Sequence, residues 1–104
     1  MNRLQGKKIL MIIAPDKFRD EELNHPREVF IREGASVTIA STSSGEAKGM
    51  FGAKAKVDLL IPDVDYNDYD ALVIVGGMGS PEYLWDDNNL KELVVNAERT
   101  GKTV

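Results

Sequence analysis

The sequence predicts an α/β protein with a doubly wound parallel sheet, arranged as three α/β/α layers. Two apolar runs, residues 7–14 ("KKILMIIA") and 71–75 ("ALVIV"), lack the polar alternation of a half-exposed strand. Such runs are typical of parallel strands buried on both faces. Helical patterns separate the strands, and the predicted order is strand, helix, strand, hairpin, strand, helix, strand.

The first strand leads into a predicted helix that begins near Asp20 and completes a β-α-β unit. Leu23, Phe30 and Ile31 can share its buried face, and Gly34 stands where a left-handed residue commonly ends a helix. Pro26 lies inside the pattern, so we expect the helix to kink or to begin properly there. The β-branched run 35–42 is the second strand, reached by a right-handed crossover.

The next segment, residues 41–65, is richer in glycine and small residues, and it predicts a loop that carries a small side hairpin. A weak alternation of Ala53, Ala55 and Val57 marks one of its strands. After the third main strand, Ser80-Pro81-Glu82 has the Ser N-cap and Pro N1 signature of a helix start. A second helix is expected to begin at Asp87 or Asn88.

The ending "GKTV" has two interpretations, a phosphate-binding loop or the start of a strand. The loop motif requires glycine at position 96, where Asn96 stands, and it follows a strand, whereas a helical pattern precedes this ending. Gly101 instead closes the helix, and residues 102–104 begin a fourth main strand. We therefore expect residues 1–104 to be the N-terminal part of a single α/β domain, truncated in that strand.

Composition excludes several function classes. The 104 residues carry a net charge of −4, which argues against nucleic-acid binding, and no apolar run is long enough for a membrane span. The absence of cysteine excludes disulfides and thiolate metal sites and leaves the chain without a thiol nucleophile, and it is compatible with the cytoplasm. No cofactor and no metal are predicted, and a single histidine, His25, cannot form a metal site alone.

Ligands in open α/β sheets bind outside the carboxyl ends of the strands, which directs attention to residues 15–19, 41–45 and 76–82. The second of these loops is expected to be solvated. The paired Gly76 and Gly77 can present backbone N–H groups to an oxyanion, although glycine often closes strands for steric reasons. The acidic run Asp20, Glu21 and Glu22 is explained better by the helix dipole than by catalysis.

These segments, in this order, resemble the N-terminal part of the ThiJ/PfpI family, within the class I glutamine amidotransferase-like superfamily. The resemblance rests on "KKILMIIAPDKFRDEEL", "REGASVTIAS", "AKVDLLIPDV", "YDALVIVGGMGSPE" and "TGKTV", and so covers almost the whole chain. It implies a flavodoxin-like fold. It also implies that the strand beginning at "GKTV" runs into a nucleophile elbow carrying Cys and usually His, a few residues beyond Val104.

The family's functional residues transfer only where this sequence matches. The resemblance implies that Gly76 and Gly77 supply oxyanion-hole amides, that Glu82 orients the histidine of a neighbouring subunit, and that Met78 lines the same site. The family places a glutamate directly after the phenylalanine of the first loop, where this sequence has Arg19. A cation there can favour a thiolate but cannot shuttle a proton.

Asp20 and Glu22 are further candidates to line the site, and either Glu21 or Glu22 is available to replace the missing carboxylate. We therefore expect a cytoplasmic, homo-oligomeric cysteine hydrolase that acts on a peptide or a small molecule by peptidase or related aldehyde and deglycase chemistry. This chain alone is expected to be inactive. The alternatives are a non-catalytic stress-response or chaperone-like protein, for which Arg19 is the supporting feature, and a flavin-binding domain.

Overall fold

A computed structural model describes residues 5–76, 84 and 87–99. In this part of the chain, strands and α-helices occur in the following order: β1 Lys8–Ile12, β2 Asp16–Phe18, α1 Asp20–Arg32, β3 Ser36–Ser41, β4 Gly45–Gly49, β5 Lys54–Val57, β6 Leu59–Leu60, β7 Ala71–Ile74 and α2 Asn88–Arg99. Two short 3-10 turns, Ile61–Asp63 and Tyr66–Asp68, connect β6 to β7.

The main sheet is parallel and has the strand order β6-β3-β1-β7. The central strand β1 pairs with β3 on one side, with Ile9 opposite Val37, and with β7 on the other, with Ile9 opposite Ala71. Successive main strands therefore add on opposite sides of β1, which is the doubly wound arrangement that the sequence predicts.

Both faces of the sheet are buried, as the unbroken apolar runs predict. One face of β1 joins a core shared with α1 and with a second sheet of strand order β2-β4-β5. Its other face joins a core shared with α2 and the 3-10 turns. Alternate β1 residues fall into these two cores: Ile9, Met11 and Ile13 in the first, Leu10, Ile12 and Ala14 in the second. The three-layer α/β/α prediction is confirmed.

Helix α1 confirms part of its prediction. Leu23 is fully buried and Phe30 packs against the core, but Ile31 is 54% exposed, so its assignment to the buried face is wrong. Phe30 lies seven residues, or about two helical turns, after Leu23 and therefore falls on the same side of the helix. Ile31 is rotated by about another 100° around the helix axis and faces solvent. The helix already begins at Asp20 and continues through Pro26, so a start at Pro26 is also wrong.

Gly34 has the left-handed φ of 93° that the sequence predicts at the end of this helix. A side chain is excluded there for a second reason, because a Cβ on Gly34 would lie 3.0 Å from the Cα of Gln5. The turn thus lets the chain pass close to the segment that precedes β1.

The predicted side hairpin is confirmed as β4 and β5, which pair antiparallel with Ala47 opposite Ala55. The structure adds β2, because residues 16–18 pair with β4 instead of forming a simple loop. Phe18 from β2 is fully buried, which explains why this segment is held against the hairpin.

Two further differences concern the edge of the sheet near β3. The expectation of a solvated loop over residues 41–45 is wrong at Ser41, which ends β3 and is fully buried. The short β6 pairs parallel with β3 through Ala40 and Ser41, so this piece of the segment joins the main sheet, which was not predicted. After the hairpin the chain runs beside β3 as β6, and this pairing covers the end of β3.

Helix α2 begins as predicted, since the Leu90 N–H donates to the Asp87 carboxylate at 2.8 Å, an N-cap contact. The predicted helix start at residues 80–82, the helix end at Gly101 and the strand at residues 102–104 lie outside the described residues.

Candidate functional site at the carboxyl edge of the sheet

The candidate site lies between the carboxyl ends of β1 and β7, where the direction of strand addition reverses. Such a topological switch point leaves a crevice in an open α/β sheet. Here the Arg19 N–H, just after β2, donates to the carbonyl oxygen of Gly76, just after β7, at 2.7 Å. This contact joins two of the three post-strand segments in which the sequence predicts a ligand site.

Arg19 also begins helix α1, since its carbonyl oxygen accepts from the N–H groups of Glu22 at 3.1 Å and Leu23 at 3.2 Å. Its side chain is directed to the carboxylates of the first helical turn. Arg19 Nε lies 2.5 Å from Glu21 Oε1 and 3.9 Å from Glu22 Oε2. The hydrogen bond to Arg19 is the main reason why the pKa of the Glu21 carboxyl is lowered, and the same contact raises the pKa of Arg19.

Glu22 reaches the end of β7. Its Oε1 atom accepts a long hydrogen bond, 3.3 Å, from the Gly76 N–H, and a Cβ on Gly76 would lie 2.8 Å from the same oxygen. The absence of a side chain at Gly76 therefore gives this carboxylate its place. Gly76, Glu22 and Arg19 form one continuous polar cluster at the carboxyl edge, which we call the edge cluster.

Asp20 faces the hairpin instead. Its two carboxylate oxygens accept from the backbone N–H groups of Phe51 at 3.2 Å and Ala53 at 2.9 Å. Gly49 makes room for this contact, because a Cβ there would lie 2.6 Å from Asp20 Cγ. Of the three carboxylates in the first turn, Asp20 thus binds the hairpin, Glu21 binds Arg19, and Glu22 contacts Gly76.

Three of the predicted site residues, Arg19, Glu22 and Gly76, lie together in the structure. Asp20, also predicted to line the site, contacts the hairpin instead. Gly77, Met78 and Glu82 lie outside the described residues. Sequence reasoning did not single out Gly49, although a glycine within an otherwise alternating strand is a known signal of close backbone or side-chain approach. It also did not predict the buried Ser41 hydroxyl, which has no hydrogen-bond partner among the residues that the structure describes.

The described residues, 5–76, 84 and 87–99, offer neither a metal centre nor a membrane span. That part of the chain contains no group of three or more His, Asp or Glu side chains placed to hold a metal ion. None of its helices is both long and apolar enough to cross a membrane. The edge cluster combines the carboxylate of Glu22, the cation of Arg19 and the backbone N–H donor of Gly76.

A parallel sheet covered on both faces, with charged groups at its switch point, defines an open α/β domain of the flavodoxin-like type. Comparison with family models matches residues 7–104 to the DJ-1/PfpI family. The chain belongs to this family, which confirms the resemblance found in its sequence.

Known relatives agree with this assignment. An uncharacterized protein of Methanocaldococcus jannaschii is 48% identical over 101 residues, which are 97% of this chain and 49% of the relative. A Bacillus subtilis protein named "Putative cysteine protease YraA" is 40% identical over 84 residues, which are 80% of this chain and 48% of that protein. The chain thus spans about half the length of these curated relatives.

Solved structures show the same fold. A ThiJ/PfpI domain protein from Brachyspira murdochii has a TM-score of 0.88 and 34% identity, over 93% of this chain and 57% of that one. The oxidized DJ-1 of Toxoplasma gondii has a TM-score of 0.82 and 28% identity, over 93% of this chain and 53% of that one.

Proposed function

We propose that this chain forms the N-terminal half of a PfpI-like cysteine hydrolase whose nucleophile elbow is supplied by the other half of the domain. The observation that carries the proposal is the contact between Glu22 and Gly76. It places a carboxylate at the carboxyl edge of the sheet, at the switch point where the reacting groups of such a domain assemble. The name of the Bacillus subtilis relative supports a cysteine-dependent activity.

The family has a glutamate where this chain has Arg19. Glu22 is our candidate to supply that carboxylate instead. Glu21 is held by Arg19, whereas Glu22 extends to Gly76 at the strand end. One of its oxygens also lies 3.9 Å from Arg19 Nε, so the cation and the carboxylate stand at the same strand end. Glu22 would hydrogen-bond the cysteine of the elbow and help to set its protonation.

The glycine pair takes different roles in this proposal. The Gly76 N–H already donates to Glu22, so Gly76 positions the carboxylate, and a substrate oxygen would have to replace Glu22 to use that donor. We assign the oxyanion-binding amide to Gly77, with Met78 beside it and Glu82 orienting the elbow histidine across a subunit boundary. A homo-oligomer in the cytoplasm is part of the same proposal.

The reaction proposed is acyl transfer to sulfur followed by hydrolysis. The elbow histidine takes the proton of the thiol, and the thiolate attacks the acyl carbon. The bond to the leaving amine breaks, and the amine departs with that proton from the histidine. Water then attacks the thioester, which releases a carboxylic acid and regenerates the thiol. The oxyanion formed in each step would be stabilised by the backbone amide at Gly77.

The test uses the completed domain, meaning this chain joined to the second half of its Methanocaldococcus jannaschii relative. We expect cleavage of peptidyl p-nitroanilides by the completed domain and loss of that cleavage when the elbow cysteine is changed to alanine. Cleavage that survives the change would disprove the cysteine mechanism. An absence of cleavage in both proteins would favour the non-catalytic alternative. The isolated 104-residue chain, which has no cysteine, is the negative control.

A further inference from the structure

Arg19 brings a cation to the same edge as the proposed carboxylate. Its main chain is fixed by the 2.7 Å bond to Gly76, and its side chain is 49% exposed. The side chain therefore extends from a fixed backbone position and is about half exposed. Its distance of 3.9 Å from Glu22 links it directly to the edge cluster.

The guanidinium of Arg19 carries more hydrogen-bond donors than its contact with Glu21 uses. Glu21 Oε1 takes the Nε–H, and within residues 5–76, 84 and 87–99 the two terminal amino groups donate to no acceptor. A guanidinium carries its N–H groups in a planar fork that matches the two oxygens of a carboxylate. The contact with Glu21 fixes the plane of this fork, so the Arg19 side chain loses less conformational entropy when a ligand binds.

We propose that Arg19 is a specificity-determining residue that binds a carboxylate of the substrate, so that the site prefers acyl substrates with an acidic residue beside the scissile bond. The assignment of this ligand as a substrate rests on the proposed function. The carboxylate would accept two parallel N–H bonds from the free end of the guanidinium.

Three acidic residues follow Arg19 directly in the chain, so long-range attraction of an anion is not the basis of this preference. Asp20 is bound to two backbone N–H groups of the hairpin, Glu21 is bound to Arg19 itself, and Glu22 accepts from Gly76. Their charges weaken the attraction of the site for any anion. Directional donation by the guanidinium distinguishes a carboxylate from an amide of the same shape.

The experiment titrates the 104-residue chain with two matched probes, the α-amides of N-acetylglutamate and N-acetylglutamine. Binding is followed through the backbone amide resonances of Gly76 and Glu22. We expect saturable shifts with the glutamate probe at a concentration roughly tenfold or more below that needed for the glutamine probe. R19Q should abolish this difference. R32Q, which removes the same charge from an exposed arginine at the far end of α1, should preserve it.

Equal responses to the two probes, or a preference that survives R19Q, would overturn the inference. Because this titration needs no turnover, it is independent of the cysteine test of the proposed function. In the completed domain the matching result is a preference for a Glu over a Gln p-nitroanilide in kcat/KM, which R19Q reduces by roughly tenfold to a hundredfold. Turnover in which R19Q leaves the ratio unchanged would keep the hydrolase and remove Arg19 from its specificity.

Discussion

Replacing Asp20 by alanine should loosen the hairpin from helix α1. The change removes two hydrogen bonds from a charged acceptor to backbone N–H groups, at 3.2 Å to Phe51 and 2.9 Å to Ala53. Since the bond to Phe51 is exposed and the bond to Ala53 is partly buried, we expect them together to contribute about 2 kcal/mol to the free energy of unfolding. The lost helix-dipole interaction adds at most about 1 kcal/mol.

Urea unfolding followed by circular dichroism measures this change. E21A is the matched control, because it removes the same charge from the same helical turn without touching the hairpin. G49A should destabilise the chain about as much as D20A, since its Cβ would displace the Asp20 carboxylate. The double variant should cost little more than either single one, because both remove the same contact. Equal effects of D20A and E21A, or additive effects of D20A and G49A, would refute this account.

The remaining predictions concern stability measured by the same urea titration. S41A should be neutral or slightly stabilising, because the buried hydroxyl has no hydrogen-bond partner in the described part of the chain, and a loss above about 1.5 kcal/mol would show that it has one. L23A should cost about 2–5 kcal/mol because Leu23 is fully buried, whereas I31A should cost less than about 1 kcal/mol at an exposed position, and similar costs would contradict the packing of α1. The hydrogen bond from Arg19 lowers the pKa of Glu21, so its stabilisation is complete above the ordinary glutamate pKa and is lost as the pH falls through the lower folded value. The stability difference between wild type and E21Q should therefore shrink on acidification below about pH 4, and a constant difference would contradict that shift.

Most of the fold follows from hydrophobic periodicity. The continuous run around Met11 predicts a strand buried on both faces, and the structure places its alternate residues in two separate cores. Gly34 is equally predictable, because its left-handed φ follows from its position after the helix. Ile31 shows the limit of this reasoning, since a single residue at the border of a helical stripe can face either way until the width of the packed surface is known.

The site was less predictable because its geometry depends on contacts between distant segments. The acidic run gave no indication that Asp20 would bind the hairpin while Glu22 would reach Gly76, 54 residues later in the chain. Adjacent side chains on a helix point in different directions, so each carboxylate meets a different neighbour. Strand β2 likewise forms only because it pairs with β4. The three residues of β2 carry too little pattern to predict that pairing.

The central claim is that Glu22 acts on the chemistry at the carboxyl edge of the sheet, and E22Q in the completed domain tests it most directly. E28Q, which changes an exposed glutamate on the same helix, is the matched control. We expect E22Q to lower kcat/KM for a peptidyl p-nitroanilide by at least about a hundredfold, while E28Q stays within about twofold of wild type. Equal activity of the two variants would contradict the account and leave Glu22 as a surface carboxylate that caps the end of β7.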